Sequence, residues 1–401
     1  MSGELPGQTA VEKIRKTTQL IDYRSILLYF PTLNYQEIFW KDIIMVTQEQ
    51  ILDILKEVND PEIGRPITEL GMVDQVKAVD GNVEVIVKLT IPGCPMKAKI
   101  SNDVKEKVMQ LEGVKTVAIH FTSMSDDERQ NLTHSLMSKY RGQGEDDEAN
   151  TDFAKNIICV ASGKGGVGKS TVTVNLAAAL QHLGYKVGVL DADVYGFSVP
   201  RMMGIAGNPT VIDNMIIPPE RNGIKIISMG LFLDEDTPVI WRGPMLHKAV
   251  QQFMMDVHWG DLDVLLIDLP PGTGDITITI AQKFTKSQLL VITTPQKAAA
   301  NVALRVGKMA EKVKLSVLGV MENMSYFLMP DGSHENIFGE GGGKNIADIL
   351  NTKLIAEIPL DKTVREASDE GNPIVWNEDG NTTKDLYVKS AETLMEILNS
   401  K

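Results

Sequence analysis

One stretch of the chain combines glycines, two lysines and a serine at the spacing that proteins use to hold phosphate groups. It runs from Gly163 to Ser170 and reads Gly-Lys-Gly-Gly-Val-Gly-Lys-Ser. Glycines let successive backbone N–H groups turn inward around phosphate oxygens, while Lys169 can reach the β and γ phosphates and Ser170 can hold Mg²⁺. These residues therefore predict a phosphate-binding loop (P-loop) that binds ATP together with Mg²⁺.

The residues on either side of this loop predict the elements that a P-loop needs. The apolar run 157–161 predicts a buried strand before the loop, and residues 171–183 predict an amphipathic helix that ends at Gly184. In this strand, loop and helix order, the helix N-terminus directs its positive potential towards the phosphates. The residues expected to contact the nucleotide are Gly163, Lys164, Gly165, Gly166, Val167, Gly168, Lys169, Ser170 and Thr171.

Acidic residues follow two other predicted strands. Asp191 and Asp193 come after the apolar run 186–190, and Asp268 comes after the run 264–267. An open α/β sheet binds its ligands at the carboxyl ends of its strands, where carboxylates can orient water or hold a metal ion. A lone Asp after a strand can also be only a helix cap. The P-loop upstream favours the interpretation as part of the nucleotide site.

The second half of the chain alternates short apolar runs with helical patterns. Further buried strands are predicted at residues 224–229, 289–292, 317–320 and 354–358. Runs that are apolar on both faces suit a parallel sheet with helices packed on both sides. The predicted fold class is therefore α/β, with a parallel, doubly wound P-loop NTPase domain over residues 153–401.

A small α+β domain is predicted ahead of it, over residues 45–122, from two helices and three strands that include an Asp-Gly turn. Residues 1–44 show no sustained periodicity, and we expect them to be an extension that is either flexible or a mis-assigned start. Residues 123–152 are rich in acidic and polar side chains and predict a linker that is partly helical and then flexible.

The composition restricts the classes of partner. With 53 acidic and 40 basic residues, the net charge is −13, which disfavours general attraction to nucleic acid or to an anionic membrane. The two cysteines, Cys94 and Cys159, are too few for a disulfide framework and favour a reducing compartment. No apolar run approaches the roughly 18 residues of a membrane span. We therefore expect a soluble, cytoplasmic protein without a membrane partner.

Lys164, directly after the first glycine of the loop, resembles the signature lysine of the deviant Walker A loop in the MinD, ParA and nitrogenase iron-protein superfamily. The resemblance implies a homodimer in which this lysine reaches the nucleotide of the other subunit. It also implies that Asp193 orients or deprotonates the attacking water, that Asp268 binds Mg²⁺ through water, and that the Gly272 N–H senses the γ-phosphate. Lys164, Lys169, Asp193 and Asp268 are therefore the expected catalytic residues.

Several longer motifs resemble the Mrp/ApbC family of ATP-dependent iron–sulfur cluster carriers. They lie at residues 192–196, 241–245, 268–275, 322–325 and 337–339, and the resemblance extends over about residues 150–390. It implies an ATPase that matures iron–sulfur proteins and has iron–sulfur client or scaffold proteins as partners. It further implies that Asn323 and the loop at Pro359 hold the adenine, although either residue can also be a simple cap or turn.

The front domain carries a related resemblance. Asp60-Pro61-Glu62 and Pro92-Gly93-Cys94-Pro95 are similar to the small domain that cytosolic iron–sulfur assembly factors share. Cys94 lies just before a predicted helix, where an exposed thiolate is favoured, so it is the candidate ligand for an iron–sulfur cluster. Cys159 lies inside the first buried strand and is expected to pack as a small apolar side chain.

One departure from the family leaves two functions open. Cluster-carrying members have Cys-Pro-x-Cys shortly after the Asn-Met-Ser motif, whereas residues 329–332 here read Met-Pro-Asp-Gly. The nearby Asp331 and His334 are expected to be solvated rather than metal ligands. The chain is therefore expected to be a homodimeric, ATP-hydrolysing iron–sulfur carrier that relies on Cys94. The alternative is a nucleotide-gated regulatory or binding protein, for DNA or a protein, that has lost cluster carriage.

Overall fold

The computed structural model describes residues 46–138, 152–193, 196–232, 243–272, 274, 277–278, 280, 284, 286–329, 331–378 and 380–400. The predicted extension 1–44 and the second half of the predicted linker, residues 139–151, lie outside these ranges. Among the helices of the described ranges, none has the length and apolar character needed to cross a membrane.

The first domain packs three helices on a three-stranded sheet. Its elements are α1 (Gln48–Leu55), β1 (Val73–Val79), β2 (Asn82–Leu89), α2 (Lys97–Met109), β3 (Thr116–Ser123) and α3 (Asp126–Ser138). Strand β2 is central, antiparallel to β1 and parallel to β3. The helix α3 falls within the segment predicted as a linker, yet Leu132, Leu136 and Met137 on one of its faces are buried in the core of this small domain. The helical part of that segment is therefore packed rather than free.

The second domain is built on an eight-stranded sheet in the order β15-β12-β11-β4-β10-β5-β9-β8. Its strands are β4 (Ala154–Ser162), β5 (Val187–Asp191), β8 (Glu220–Arg221), β9 (Ile224–Ser228), β10 (Leu262–Asp268), β11 (Ser287–Thr293), β12 (Ser316–Asn323) and β15 (Leu354–Ile358). All neighbouring strands are parallel except β8, a two-residue strand that runs antiparallel to β9 at one edge. The seven strands predicted from apolar runs are thus confirmed.

Helices cover both faces of this sheet. They are α4 (Lys169–His182), α5 (Val199–Met202), α6 (Gly243–Met255), α7 (Lys297–Lys312), α8 (Gly342–Ile349), α9 (Lys362–Asp369) and α10 (Thr382–Asn399). Alternate residues of each strand point to opposite faces, so Cys159 packs in the core under α6, α7 and α8, whereas Ile158 and Val160 pack in the core under α4, α9 and α10. This arrangement confirms the predicted doubly wound α/β class.

Two short antiparallel hairpins leave the main sheet. The first joins β6 (Thr210–Ile212) to β7 (Met215–Ile217), and the second joins β13 (Phe327–Leu328) to β14 (His334–Glu335). Ile212, Met215 and Ile217 of the first hairpin are buried in the core cluster of the small domain. The β6–β7 hairpin therefore lies between the two domains.

Candidate functional site

The phosphate-binding loop lies between β4 and α4, as the strand, loop and helix pattern predicts. Gly166 and Gly168 have φ values of 81° and 80°, in the left-handed region that favours glycine. A side chain at Gly168 would also collide with the amide nitrogen of Asn323. Both the backbone conformation and this close approach therefore require glycine at position 168.

The carboxylate of Asp268, at the end of β10, contacts the polar side chains at the start of α4. Lys169 Nζ lies 2.6 Å from Asp268 Oδ2, and Ser170 Oγ donates to the same oxygen at 2.6 Å. The Lys169 side chain is 6% exposed and that of Asp268 is fully buried. The structure thus brings together three residues that the sequence places 98 and 99 positions apart.

Sequence reasoning missed one member of this cluster, Thr173. Its hydroxyl donates to Asp268 Oδ1 at 2.7 Å and also lies 3.0 Å from the Lys169 carbonyl oxygen. A residue four positions after Lys169 lies on the same helix face, and that spacing is the signal that would have identified it. The Ser170 hydroxyl and the Asp268 carboxylate are hard oxygen donors beside an ammonium group, so the side chains present fit Mg²⁺ and the phosphates of a nucleotide.

Asp191, at the end of β5, is a second buried carboxylate beside this cluster. It accepts hydrogen bonds from the backbone N–H groups of Asp193, Ser198 and Val199 at 3.1, 3.2 and 3.3 Å, and from Ser228 Oγ at 3.2 Å. Burial, followed by the nearby charge of Asp268, raises the pKa of Asp191 to about 7. Asp193 is only partly buried, so of the two it is the carboxylate with access to solvent.

Lys164 is held within its own chain in this structure. Its Nζ lies 3.3 Å from Gln296 Oε1, at the residue before α7, and the side chain is partly buried. Gly163 packs so closely on the backbone of Val302 and Ala303 in α7 that a Cβ there would overlap it. The first half of the loop is therefore braced against α7, and the predicted reach of Lys164 into a second subunit stays a prediction.

The predicted γ-phosphate sensor, Gly272, lies at the mouth of the P-loop. Its N–H donates to the carbonyl oxygen of Ser162 at 2.8 Å, and its φ is 96°. In this conformation the amide is engaged by the chain, so contact with a phosphate would require this hydrogen bond to be exchanged.

The residues predicted to hold the adenine lie next to the loop. Asn323 Nδ2 donates to the Val167 carbonyl oxygen at 2.9 Å. Pro359 is buried, and backbone hydrogen bonds from Ser325 to Ile358 and from Leu360 to Tyr326 fix its loop beside the end of β12. Their placement is compatible with an adenine pocket, and the role itself stays a prediction.

The prediction of an exposed thiolate at Cys94 is wrong. Cys94 is 5% exposed, and its Sγ lies 3.9 Å from Glu62 Oε2. Burial raises the pKa of the Cys94 thiol, and the carboxylates of Glu62 and Asp60 raise it further because they disfavour a second negative charge. Cys159 is fully buried in β4, which raises the pKa of its thiol to about 12 and confirms its assignment as a packed apolar side chain.

In the region that lacks the Cys-Pro-x-Cys pair, the described polar side chains contact neighbouring residues. Asp331 accepts hydrogen bonds from Ser333, and the exposed His334 ring stacks on Tyr326 with ring centroids 3.9 Å apart. Across the described ranges, no group of three or more His, Cys, Asp or Glu side chains is arranged to hold a metal ion. Asp331 and His334 are both exposed, and the expectation that they are not metal ligands stays a prediction.

Comparison with known proteins identifies the family. Residues 153–395 match the family model of the NUBPL iron-transfer P-loop NTPases. The chain belongs to this family. Residues 48–120 match a second model, that of an iron–sulfur cluster assembly protein. The family assignment thus confirms the resemblance that the P-loop, the strand-end carboxylates and the front domain indicated.

Curated relatives in the family match most of the chain. Proteins from Mycobacterium tuberculosis and Bacillus subtilis are 48% and 38% identical; the alignments cover 83% and 82% of this chain and 89% and 95% of theirs. Each is named an iron–sulfur cluster carrier protein. Among solved structures, a nucleotide-binding protein from Archaeoglobus fulgidus in complex with ADP is 39% identical, with a TM-score of 0.48, over 55% of this chain and 88% of that one.

Proposed function

We propose that this protein is a homodimeric, Mg²⁺-dependent ATPase that carries iron–sulfur clusters to client proteins. The observation that carries the proposal is the contact of Lys169 and Ser170 with the buried Asp268 carboxylate at a P-loop, in a chain of the iron-transfer NTPase family. The names of the relatives support the cargo. The two unpaired cysteines support a reducing compartment, the cytoplasm.

Phosphoryl transfer requires positioning and charge neutralisation, and the site's residues supply both. Lys169 would exchange its bond with Asp268 for the β and γ phosphates. Ser170 would then hold Mg²⁺ directly, and Asp268 would hold it through water. The partly exposed Asp193 would orient the attacking water, while Lys164 of each subunit would neutralise charge on the nucleotide bound to the other.

Carriage of a cluster must use a different ligand set from the Cys-Pro-x-Cys pair. Cys159 is fully buried in β4, so Cys94 is the thiol that remains for the cargo. A four-thiolate cluster needs further ligands, which a client protein or a small thiol would have to provide. We therefore expect transient iron binding rather than a stable cluster bridging two ATPase domains.

The nucleotide half of the proposal is tested with purified full-length variants. Lys169→Ala should abolish ATP hydrolysis because it removes the phosphate contact, and Asp193→Ala should keep ATP binding but lose turnover. The Asp193→Ala protein should form a dimer when ATP is added, which light scattering detects. Introducing Lys164→Ala into that protein should abolish the dimer. Lys155→Ala, which removes an exposed lysine of β4, is the matched control and should hydrolyse ATP normally. Normal turnover in Lys169→Ala would contradict the assignment.

The cargo half is tested by anaerobic reconstitution with iron and sulfide, followed by absorption spectra and metal counting. Cys94→Ala should eliminate iron binding, and Met329→Ala should leave it unchanged. If Cys94→Ala still holds about four irons per dimer, the number in one bridging cluster, the role of Cys94 is wrong. If the wild-type protein hydrolyses ATP normally but binds no iron, the second function applies. The protein would then be a nucleotide-gated binding protein without cargo, a function that the missing thiolates favour.

A further inference from the structure

The β6–β7 hairpin presents its two faces to two different cores. Ile212, Met215 and Ile217 are buried against the small domain, while Ile216 packs on the core of the larger domain. The backbone of Ile216 is hydrogen-bonded to Asp256 and His258 of the larger domain at 2.7 and 2.8 Å. The hairpin is therefore anchored in the larger domain and buries an apolar face against the smaller one.

Polar contacts connect the hairpin to Cys94 through Glu62. Thr210 Oγ1, at the start of β6, donates to Glu62 Oε1 at 2.7 Å, and the other oxygen of Glu62 lies 3.9 Å from Cys94 Sγ. On the far side of the hairpin, Arg129 of α3 pairs with Asp213 at 3.6 Å. A single carboxylate, Glu62, thus contacts both the docking hairpin and the thiol.

The contact between the domains is not closely packed throughout. A cleft of about 410 Å³ lies beside Glu62 and is lined by residues of the small domain on one side and by Glu220 and Lys225 of the larger domain on the other. Protein cores are packed without voids of this size. The interface is therefore apolar at the hairpin and open beside it.

Asp191 connects the hairpin to the nucleotide site. The hairpin belongs to the segment 196–228, and Asp191 accepts hydrogen bonds near the beginning of that segment, from Ser198 and Val199, and at its end, from Ser228. Asp191 and Asp268 are paired residues of the neighbouring strands β5 and β10, and the Ala192 N–H donates to the Asp268 carbonyl oxygen at 2.9 Å. Any rearrangement of the Lys169 and Asp268 pair on nucleotide binding therefore acts on Asp191, which accepts hydrogen bonds from both ends of the segment 196–228.

We propose that the β6–β7 hairpin docks the small domain as a cover over Cys94, and that nucleotide binding loosens this cover through Asp191. When ATP draws Lys169 away from Asp268, the end of β10 shifts together with the paired end of β5, and the hydrogen bonds that Asp191 accepts from the segment weaken. The hairpin then shifts, Glu62 loses Thr210, and the thiol becomes accessible. This inference goes beyond ATPase activity and cargo, because it concerns access to the thiol whatever the thiol binds.

The test measures the alkylation rate of Cys94 by iodoacetamide in the full-length chain, by mass spectrometry of the peptide. Thr210→Val should raise the rate about fivefold, equivalent to about 1 kcal/mol at 1.4 kcal/mol per tenfold, the size of one hydrogen bond. Met215→Asp should raise it more than tenfold because it buries a charge in the contact. Val211→Ser, at a half-exposed position paired with Ile216 on the face of the hairpin turned away from the small domain, should leave it unchanged. Equal rates in all four proteins would overturn the proposal.

Two internal controls separate undocking from unfolding. Cys159 remains unreactive as long as the larger domain is folded, and slow hydrogen exchange in α2 reports that the small domain is folded. If Met215→Asp fails either control, Thr210→Val decides the result.

The coupling to nucleotide is tested by adding a non-hydrolysable ATP analogue with Mg²⁺ to the wild-type chain. We expect Cys94 of the wild-type chain to react at least threefold faster than without nucleotide. In Ser228→Ala, which lacks one hydrogen bond to Asp191, the analogue should raise the rate less than twofold. An unchanged wild-type rate would refute the coupling, even if ATP hydrolysis and iron binding were both normal. Absence of hydrolysis with a normal alkylation response would instead refute only the proposed function.

Discussion

Removal of the Lys169 ammonium should destabilise the larger domain even without nucleotide. The pair it forms with Asp268 is buried, with an N–O distance of 2.6 Å and a fully buried carboxylate. Breaking a buried pair by removing one partner leaves an uncompensated charge and typically costs about 3–5 kcal/mol. We therefore expect Lys169→Met, which keeps the side-chain volume, to lower the free energy of unfolding by an amount in this range at neutral pH.

Urea unfolding of Lys169→Met and wild type at pH 7.5 provides the measurement. The matched control is Lys155→Met, because Lys155 and Asp263 pair across the same two strands, β4 and β10, at 2.7 Å, but Lys155 is 77% exposed. Exposed ion pairs contribute little, so this variant should unfold like wild type. A Lys169→Met midpoint equal to that of wild type would refute the reasoning.

Two further predictions concern His258 and Gly168. Burial lowers the pKa of His258 to about 4, so the folded state binds fewer protons than the unfolded state between pH 6.5 and 4. The protein should therefore lose about 3 kcal/mol of stability as pH falls through this window. Urea unfolding across the same pH range should show that His258→Gln lacks this loss. Gly168→Ala should lower the free energy of unfolding more than Gly166→Ala does, by at least about 1 kcal/mol. Both glycines have a left-handed backbone, but a side chain at position 168 would collide with Asn323, whereas one at position 166 would meet open space. Equal thermal midpoints for the two glycine variants would contradict this explanation.

The sequence predicted the sheet and the P-loop because both rest on local patterns. The buried strands are continuous apolar runs, and the glycine spacing of residues 163–170 has few structural meanings. The same holds for the small domain, whose Asp80-Gly81 turn joins β1 and β2 as expected. The strand-end carboxylates also follow from the local pattern, and the family resemblance added the roles expected of them; Asp268 lies against the P-loop.

The features that the sequence did not predict depend on contacts between distant residues. The strands β6 and β7 have three residues each, too short for a period, and their apolar face is explained only by the small domain. The environment of Cys94 is set by Glu62, 32 positions earlier, so the position of the cysteine before a helix did not indicate its burial. The four hydrogen bonds to Asp191 come from residues up to 37 positions away, so the sequence alone did not indicate that this carboxylate is held at four points.

The edge strand β8 has a consequence for the behaviour of the chain in a crowded solution. A long, flat strand with free N–H and C=O groups at a sheet edge invites pairing with other chains and aggregation. Here that edge ends in only two residues, Glu220 and Arg221, and the Arg221 guanidinium is fixed by carbonyl oxygens of Met203 and Gly371 at 2.9 and 2.8 Å. A charged strand of two residues offers almost no template for strand addition. The large parallel sheet can therefore remain exposed at this edge without recruiting copies of itself.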